Sequence, residues 1–329
     1  MPTLKNQYAP RHALALIIAL IAAAPMASAN YTFTNFSVPG ANGTLISGIS
    51  GNIIYGEYTD ANSVYHGFIM SNGQLTTLDA PQAGSGSQQG TVVHGISGNT
   101  IVGTVVDANN ILHGFVDSAG IYSIFDAPGA GQAAGKGTSI TGIDGQNEVG
   151  LYTNSSGSFG FLYNGSQFTT ISDPLAPTQS WATGISGTTV VGTCLDAHGS
   201  NHGFVFDGST YTTIDAPTPT GSLSVTTGTE IQAINGSRLI GAYFTSGVNG
   251  DASANGFIYD GSTYEGLDYP SAHATFLTGE SGGTVVGYYY TSSGSTSQSF
   301  IATSPEPTAA GMLLFGGSFL ALRRRKVRR

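Results

Sequence analysis

Three histidines stand in one short repeated motif, His-Gly-Phe: His66, His113 and His202. A recurring histidine could do two kinds of chemistry, metal ligation and proton transfer near neutral pH. Against both, Phe159, Asn255 and Ser299 stand at the same position of the other copies. No single chemistry can require a position that accepts Phe, Asn and Ser. The expected role is structural, a strand-end imidazole hydrogen-bonded to a neighbouring copy. Asp79, Asp126 and Asp215 share another repeat position, where the third copy has Ser172. A turn aspartate there accepts backbone N–H groups and needs no substrate. Asp60, Asp107 and Asp196 open the loop before each His-Gly-Phe. Each offers one carboxylate with Asn or Ser beside it, fewer oxygens than calcium requires. Asp196, His198 and His202, near Cys194, form the densest local group and read as a polar inter-strand loop. Cys194 stands where the second copy has Val105, so it reads as a small buried hydrophobe.

Five glutamates break the repeat: Glu57, Glu148, Glu230, Glu265 and Glu280. A glycan-cleaving site would need two carboxylates about 5 to 9.5 Å apart in a central channel or on its face. There is no Gly-x-Ser-x-Gly elbow, phosphate loop, dinucleotide fingerprint or zinc-protease motif. The residues therefore predict no catalytic, cofactor-binding or metal-binding set and no cofactor.

Whatever positions these side chains is built from an unusual composition. Only 9% of the 329 residues are charged, against about 25% in an average soluble protein. Glycine accounts for 48 residues, with 16 Tyr and 16 Phe. Helical bundles need far more Ala, Glu, Lys and Leu, and 40% apolar residues can bury a core. A single cysteine excludes a disulfide framework and a zinc cluster. Between Asn30 and Thr303 the only basic residues are Lys136 and Arg238, so nearly all of the 19 acidic residues are unbalanced there. Such a body repels nucleic acid and anionic lipid and suits neutral polysaccharide or cations.

The body is one unit repeated six times, with successive offsets from Gly48 of 47, 47, 42, 49 and 46 residues. The unit reads Gly-Ile-Ser-Gly, then x-x-Val-Val-Gly-x-Tyr-x-Asp-Ala, then His-Gly-Phe, then Tyr-Thr-Thr-Ile-Asp-Ala-Pro. Each copy holds four short runs of strand character. Asn72-Gly73, Asn164-Gly165, Asp207-Gly208 and Asp260-Gly261 separate the third run from the fourth. Such pairs predict two-residue hairpins, in which both positions take positive φ. A four-stranded meander of about 46 residues has the size of a β-propeller blade. The sixth copy stops after its third strand, and the missing one stands at the front of the body. The run from Tyr31 to Pro39 resembles the run from Tyr211 to Pro217. The expected fold is all-β, a six-bladed β-propeller over residues 30–303, a monomer closed by its N-terminal strand. A β-solenoid or two separate β domains are the alternatives.

Both ends read as signals. Lys5 and Arg11 precede an apolar run over residues 13–24, and Ala27 and Ala29 make the small-x-small pattern of signal-peptidase cleavage before Asn30. The run is too short to span a bilayer comfortably, which sets aside a transmembrane reading. At the other end, residues 304–329 combine Pro305, Glu306 and Pro307, an uncharged apolar stretch, and a basic block with Arg323, Arg324 and Arg325. A plain anchor with a stop-transfer block is the bland reading. In order and spacing the tail resembles the PEP-CTERM sorting signal of exopolysaccharide-producing Gram-negative bacteria. The resemblance implies transient anchoring in the inner membrane by a C-terminal transmembrane helix. It also implies cleavage by exosortase and release to the cell surface or the medium. The repeat is similar to short extracellular repeats of the HAF family, whose His-Ala-Phe core reads His-Gly-Phe here. That family brings no catalytic residues. Together these readings predict a secreted, surface-displayed, non-enzymatic module. Its partners are signal peptidase and exosortase during export, exopolysaccharide afterwards, and no nucleic acid. A glycan-cleaving hydrolase or lyase and an ice- or surface-binding adhesin are the alternatives.

Overall fold

The structure is a computed structural model that describes residues 31–218, 225–246, 252–292 and 296–304. The leader, with Ala27 and Ala29, and the tail, with Pro305, Glu306, Pro307, Arg323, Arg324 and Arg325, lie outside the described residues. Among the described residues no helix is long and apolar enough to cross a membrane.

The fold is all-β. After β1 (Thr32–Phe36), the first unit comprises β2 (Gly43–Ser50), β3 (Ile53–Thr59), β4 (Tyr65–Ser71) and β5 (Gln74–Leu78). The second holds β6 (Gly90–Ser97), β7 (Thr100–Val106), β8 (Leu112–Ser118) and β9 (Ile121–Phe125). The third holds β10 (Gly137–Asp144), β11 (Asn147–Asn154), β12 (Gly157–Tyr163) and β13 (Phe168–Ile171). The fourth has β14 (Ser180–Ser186), β15 (Thr189–Leu195), β16 (Asn201–Phe206) and β17 (Tyr211–Ile214). The fifth has β18 (Val225–Asn235), β19 (Arg238–Ser246), β20 (Ala252–Tyr259) and β21 (Tyr264–Gly266), and the last β22 (Ala274–Ser281), β23 (Thr284–Tyr290) and β24 (Gln298–Thr303). Within each unit, consecutive strands pair antiparallel. The first three units are further joined by single parallel pairs, Tyr65 to Gly90 and Leu112 to Gly137. The last unit takes β1 as its fourth strand, with Thr32 opposite Thr303 and Phe36 opposite Ser299.

Three sequence features shape every unit. The Phe of Gly-Phe is fully buried each time: Phe68, Phe115, Phe161, Phe204, Phe257 and Phe300. The core lies between units, so Phe68 packs with Val286 of the last unit as well as with Ile46 and Ile54 of its own. The first strand carries a β-bulge just before Gly-Ile-Ser-Gly, for example between Ile46 and Gly48 or between Val93 and Gly95. The bulge brings a carbonyl over the neighbouring strand. A Cβ at Gly56 or Gly103 would run into the carbonyl of Leu45 or Val92, which accounts for the glycine of Val-Val-Gly.

Neighbouring units are stitched by recurring hydrogen bonds. The backbone N–H after each fourth strand donates to a hydroxyl at the start of the next first strand. Ala80 to Thr91, Ala127 to Thr138 and Ala216 to Thr229 each measure 2.9 Å, and Val38 to Thr44, at the end of β1, measures 3.0 Å. A second set runs between bulges. Thr141 Oγ1 donates to Ala182 O (2.8 Å) and Thr183 Oγ1 to Ile231 O (2.7 Å). Thr278 Oγ1 of the last unit does the same to Ile46 O of the first (3.0 Å).

Two expectations change. Asn72 and Gly73 both take positive φ in a two-residue hairpin, as predicted. At Asn164-Gly165, Asp207-Gly208 and Asp260-Gly261 only the glycine does. Phe206 pairs with Tyr211, so that loop has four residues. The Asp207 carboxylate caps it by accepting the N–H of Ser209 and Thr210, both at 2.8 Å. Ser299 also moves. Gln298 pairs with Tyr289 as His66 pairs with Tyr58, so Gln298 holds the histidine position and Ser299 the glycine position. From there Ser299 Oγ accepts the N–H of Ile46 (3.0 Å) and donates to Thr44 O (2.9 Å) of the first unit.

Candidate functional site

The bulges decide where chemistry can gather. A bulge re-aims one side chain out of the alternating pattern of its strand. The six re-aimed residues are Ser47, His94, Thr141, Thr183, Gln232 and Thr278, one from each unit. All six line two cavities, one of about 390 Å³ and one of about 320 Å³. The waist shared by the two cavities is therefore polar.

The first cavity is walled by residues from all six units. Beyond the waist its wall comes from two repeat positions that pair across the first and second strands. Leu45 lies opposite Glu57 and Trp181 opposite Thr193, and Tyr288 lines the cavity with its strand partner Phe276 behind it. Glu230 occupies the position of Leu45 and Trp181, opposite Ala242. Tyr288 stacks on Phe276, with ring centroids 4.9 Å apart and planes 12° apart, and Tyr290 meets Phe276 edge-on. The cavity thus combines aromatic faces, Trp181 and Tyr288, with two carboxylates, an amide and hydroxyls. Among the described residues no Lys or Arg lines it.

The polar groups are held in place. Ser47 Oγ donates to Glu57 Oε2 (3.3 Å). Asn201 Nδ2 donates to Glu230 Oε1 (2.7 Å), and Gln232 Nε2 to Glu230 Oε2 (3.3 Å). His94 Nε2 lies 3.1 Å from Thr104 Oγ1, which is 2.6 Å from Ser139 Oγ. Burial raises the Glu57 carboxyl to about 7, with the Ser47 bond opposing it. Burial also raises Glu230, opposed by Gln232. It lowers His94 to about 4, so this imidazole is neutral at physiological pH. The Tyr288 phenol is pushed up by burial first, then by Tyr290, Glu230 and Glu57. It lines the same cavity as both carboxylates.

Of the five repeat-breaking glutamates, two converge here and three do not. Glu148 is raised to about 7 by burial, and its Oε2 is buried with no hydrogen-bond partner. Glu280 lines the second cavity and is bridged by Arg238 (3.0 Å). Glu265 lies on β21 opposite Ile258, and after burial its charge is the next cause that raises the Tyr31 phenol.

The motif histidines are placed differently from the expectation. They bond within their own unit, not to a neighbouring one. His66 Nδ1 lies 2.9 Å from Asp79, and His113 and His202 lie at the same distance from Asp126 and Asp215. The cause is register: the histidine, near the start of the third strand, faces the residue just past the end of the fourth. So Asp79, Asp126 and Asp215 hold imidazoles, and the backbone-capping role belongs to Asp60, Asp107 and Asp196. Asp60 Oδ1 accepts the N–H of Asn62 (2.8 Å) and Val64 (2.9 Å), and the other two do likewise. Asp196 also approaches the far face of His202, with its Oδ2 3.6 Å from Nε2. Burial lowers His202, but Asp215 and Asp196 outweigh it and leave the group raised. His198 is exposed beside Asp196. Cys194 is fully buried opposite His202, and burial, with Asp173, Asp215 and Asp196, raises its thiol to about 12. Among the described residues no group of three or more His, Cys, Asp and Glu is placed to hold a metal ion.

Sequence reasoning missed the waist, Trp181 and the role of Tyr288. The signal was present: the residue before each Gly-Ile-Ser-Gly is polar in every copy, and the residue after Val-Val-Gly varies from Glu57 to Leu151 to Tyr288.

No family model matches the chain, and no curated protein matches it. Among solved structures it is similar to the β-propeller domain of the Trilobed protease from Pyrococcus furiosus, which has an open velcro topology. That match has 10% identity, 80% of this chain and 94% of the other covered, and a TM-score of 0.45. It is also similar to the six-bladed fucose-recognising lectin of Aleuria aurantia, with 14% identity, 86% and 98% covered, and a TM-score of 0.41. A third is the SapL1 lectin solved with α-methyl fucoside, with 11% identity, 82% and 99% covered, and a TM-score of 0.44.

Proposed function

We propose that residues 30–303 form a closed six-bladed β-propeller that works outside the cell as a non-enzymatic binding module for exopolysaccharide. The leader exports it. The tail around Pro305, Glu306 and Pro307 anchors it in the inner membrane until exosortase releases it to the surface. The observation that carries the binding reading is the cavity walled by all six repeat copies, with Trp181 and Tyr288 beside carboxylate, amide and hydroxyl groups. Few, convergent polar groups on an aromatic wall suit a sugar ring, which has an apolar face and a polar rim. The volume of about 390 Å³ admits one or two such rings.

A glycan array tests this. The wild-type chain should bind a defined set of saccharides, and Trp181→Ala, shown to be folded by circular dichroism, should lose them. Ile121→Ser, a change at an exposed outer-strand residue, should retain them. A wild-type protein that binds no saccharide refutes the reading. The sorting proposal is separate. Replacing Pro305, Glu306 and Pro307 by alanine should leave folding intact and stop surface release in an exosortase-containing host.

One observation favours the glycan-cleaving alternative: Glu57 and Glu230 line one cavity. Acid–base chemistry with two carboxylates needs environments that push them apart, one protonated and one ionised. Here burial pushes both the same way, which supports binding over hydrolysis. Reducing ends released from a bound oligosaccharide and abolished by Glu57→Gln would reverse that choice.

A further inference from the structure

We propose that the first cavity binds a protonated amine, so that the polysaccharide held by this protein carries free amino sugars. The inference rests on the polysaccharide reading above and narrows its ligand. Two carboxylates without a counter-ion share this partly open cavity with the rings of Trp181 and Tyr288. Glu57 and Glu230 line the cavity from the first and fifth units, and Tyr288 of the last unit, which stands between them in the repeat order, lines it as well. Their protein partners are neutral: Ser47 for Glu57, Asn201 and Gln232 for Glu230. The body holds two strong cations, and neither serves these carboxylates. Arg238 is committed to Glu280, and Lys136 lies in the loop ahead of β10 and does not line the cavity.

Partly buried carboxylates without a counter-ion either shift toward the protonated form or gain from a cation. The walls select which cation. A small hydrated metal ion gains nothing from Trp181 and Tyr288. An ammonium group on a carbon skeleton gains a cation–π contact from the ring face and a charge-assisted hydrogen bond from the carboxylate. The sugar ring that carries the amine supplies the apolar face for the same aromatics. A neutral or N-acetylated sugar would leave both carboxylates without a counter-ion.

The groups facing the cavity also set its pH response. They are Glu57 on β3, His94 on β6, Glu230 on β18 and Tyr288 on β23. His94 is neutral above about pH 5 and the Tyr288 phenol stays protonated, so the response belongs to the carboxylates: burial raises Glu57 to about 7 and raises Glu230 from its ordinary value. Affinity for a cation should rise as they ionise.

The test is isothermal titration calorimetry on the full chain with three probes: a glucosamine tetramer, its N-acetylated counterpart, and tetramethylammonium, whose charge does not change with pH. At pH 7 the glucosamine tetramer should bind at least tenfold tighter than the acetylated one. Glu57→Gln and Glu230→Gln are isosteric, so the fold should survive, and each should reduce that preference tenfold or more. Tetramethylammonium should bind about tenfold tighter at pH 8 than at pH 6, as Glu57 passes from mostly protonated to mostly ionised. Equal binding of both tetramers, unchanged in the two variants, overturns the amine assignment and leaves the polysaccharide reading standing. Tetramethylammonium binding with neither tetramer bound overturns the polysaccharide reading and the amino-sugar assignment with it. No binding of any probe overturns both.

Discussion

Replacing Glu57 by Gln should stabilise this protein, and only in one pH range. Burial raises the Glu57 carboxyl from 4.5 to about 7. The unfolded chain therefore releases this proton about 2.5 pH units earlier than the folded one. Between those values the folded state binds more protons, so each step up in pH favours unfolding. The cost is small at pH 4, grows through pH 5 and 6, and levels off above pH 7. One pKa unit corresponds to about 1.4 kcal/mol, so the full cost reaches about 3 kcal/mol by pH 8. Glutamine keeps the shape, and its amide carbonyl can accept the same bond from Ser47. The assay is urea unfolding of wild type and Glu57→Gln at pH 4, 6 and 8. The variant should match wild type at pH 4 and exceed it by about 3 kcal/mol at pH 8. Glu148 is raised as well, but it is present in both proteins and drops out of the difference. Curves that run parallel from pH 4 to pH 8 would refute the claim that Glu57 is desolvated in the cavity wall.

Other expectations follow from the stitching and the pairs. Thr229→Val removes the acceptor for the buried N–H of Ala216 and should cost about 1 to 3 kcal/mol in chemical denaturation; no loss would mean that water reaches the joint. Deleting residues 30–39 strips β1 from β24 and removes Phe33 and Val38 from the core. That truncation should lose cooperative melting or aggregate, and unchanged thermal stability would defeat the closure argument. His202→Asn should cost about 0.5 to 1.5 kcal/mol. The His202 pKa is raised in the folded state, so its extra stabilisation is present below the ordinary histidine value and lost as pH rises through the folded one. The variant should therefore lose more at pH 5.5 than at pH 8.5, and a pH-independent loss would remove the two aspartates from the account.

The sequence by itself determined the strand content, the unit and the strand that completes the last unit. Apolar and β-branched residues alternate or run together over strand lengths, glycine pairs mark the turns, and the spacing repeats. Those are local properties, set by backbone sterics and by which face each residue presents. Even the pairing of β1 with β24 was legible, because the N-terminal segment copies the strand that the last unit lacks. What the sequence did not settle was which polar residues meet. His66 and Asp79 were each visible, yet their pairing depends on the register between the third and fourth strands. Glu57 and Glu230 differ from Glu148 only in which repeat position they occupy. Two of those positions face the shared cavity, and the third is buried away from it. That difference comes from a bulge of one residue in each first strand, which turns Ser47, His94 and their equivalents inward. A bulge is a two-strand event, fixed by the clash that Gly56 avoids with the carbonyl of Leu45. The cavity itself exists only because six units place these residues together, so no window of sequence shorter than the whole body contains it.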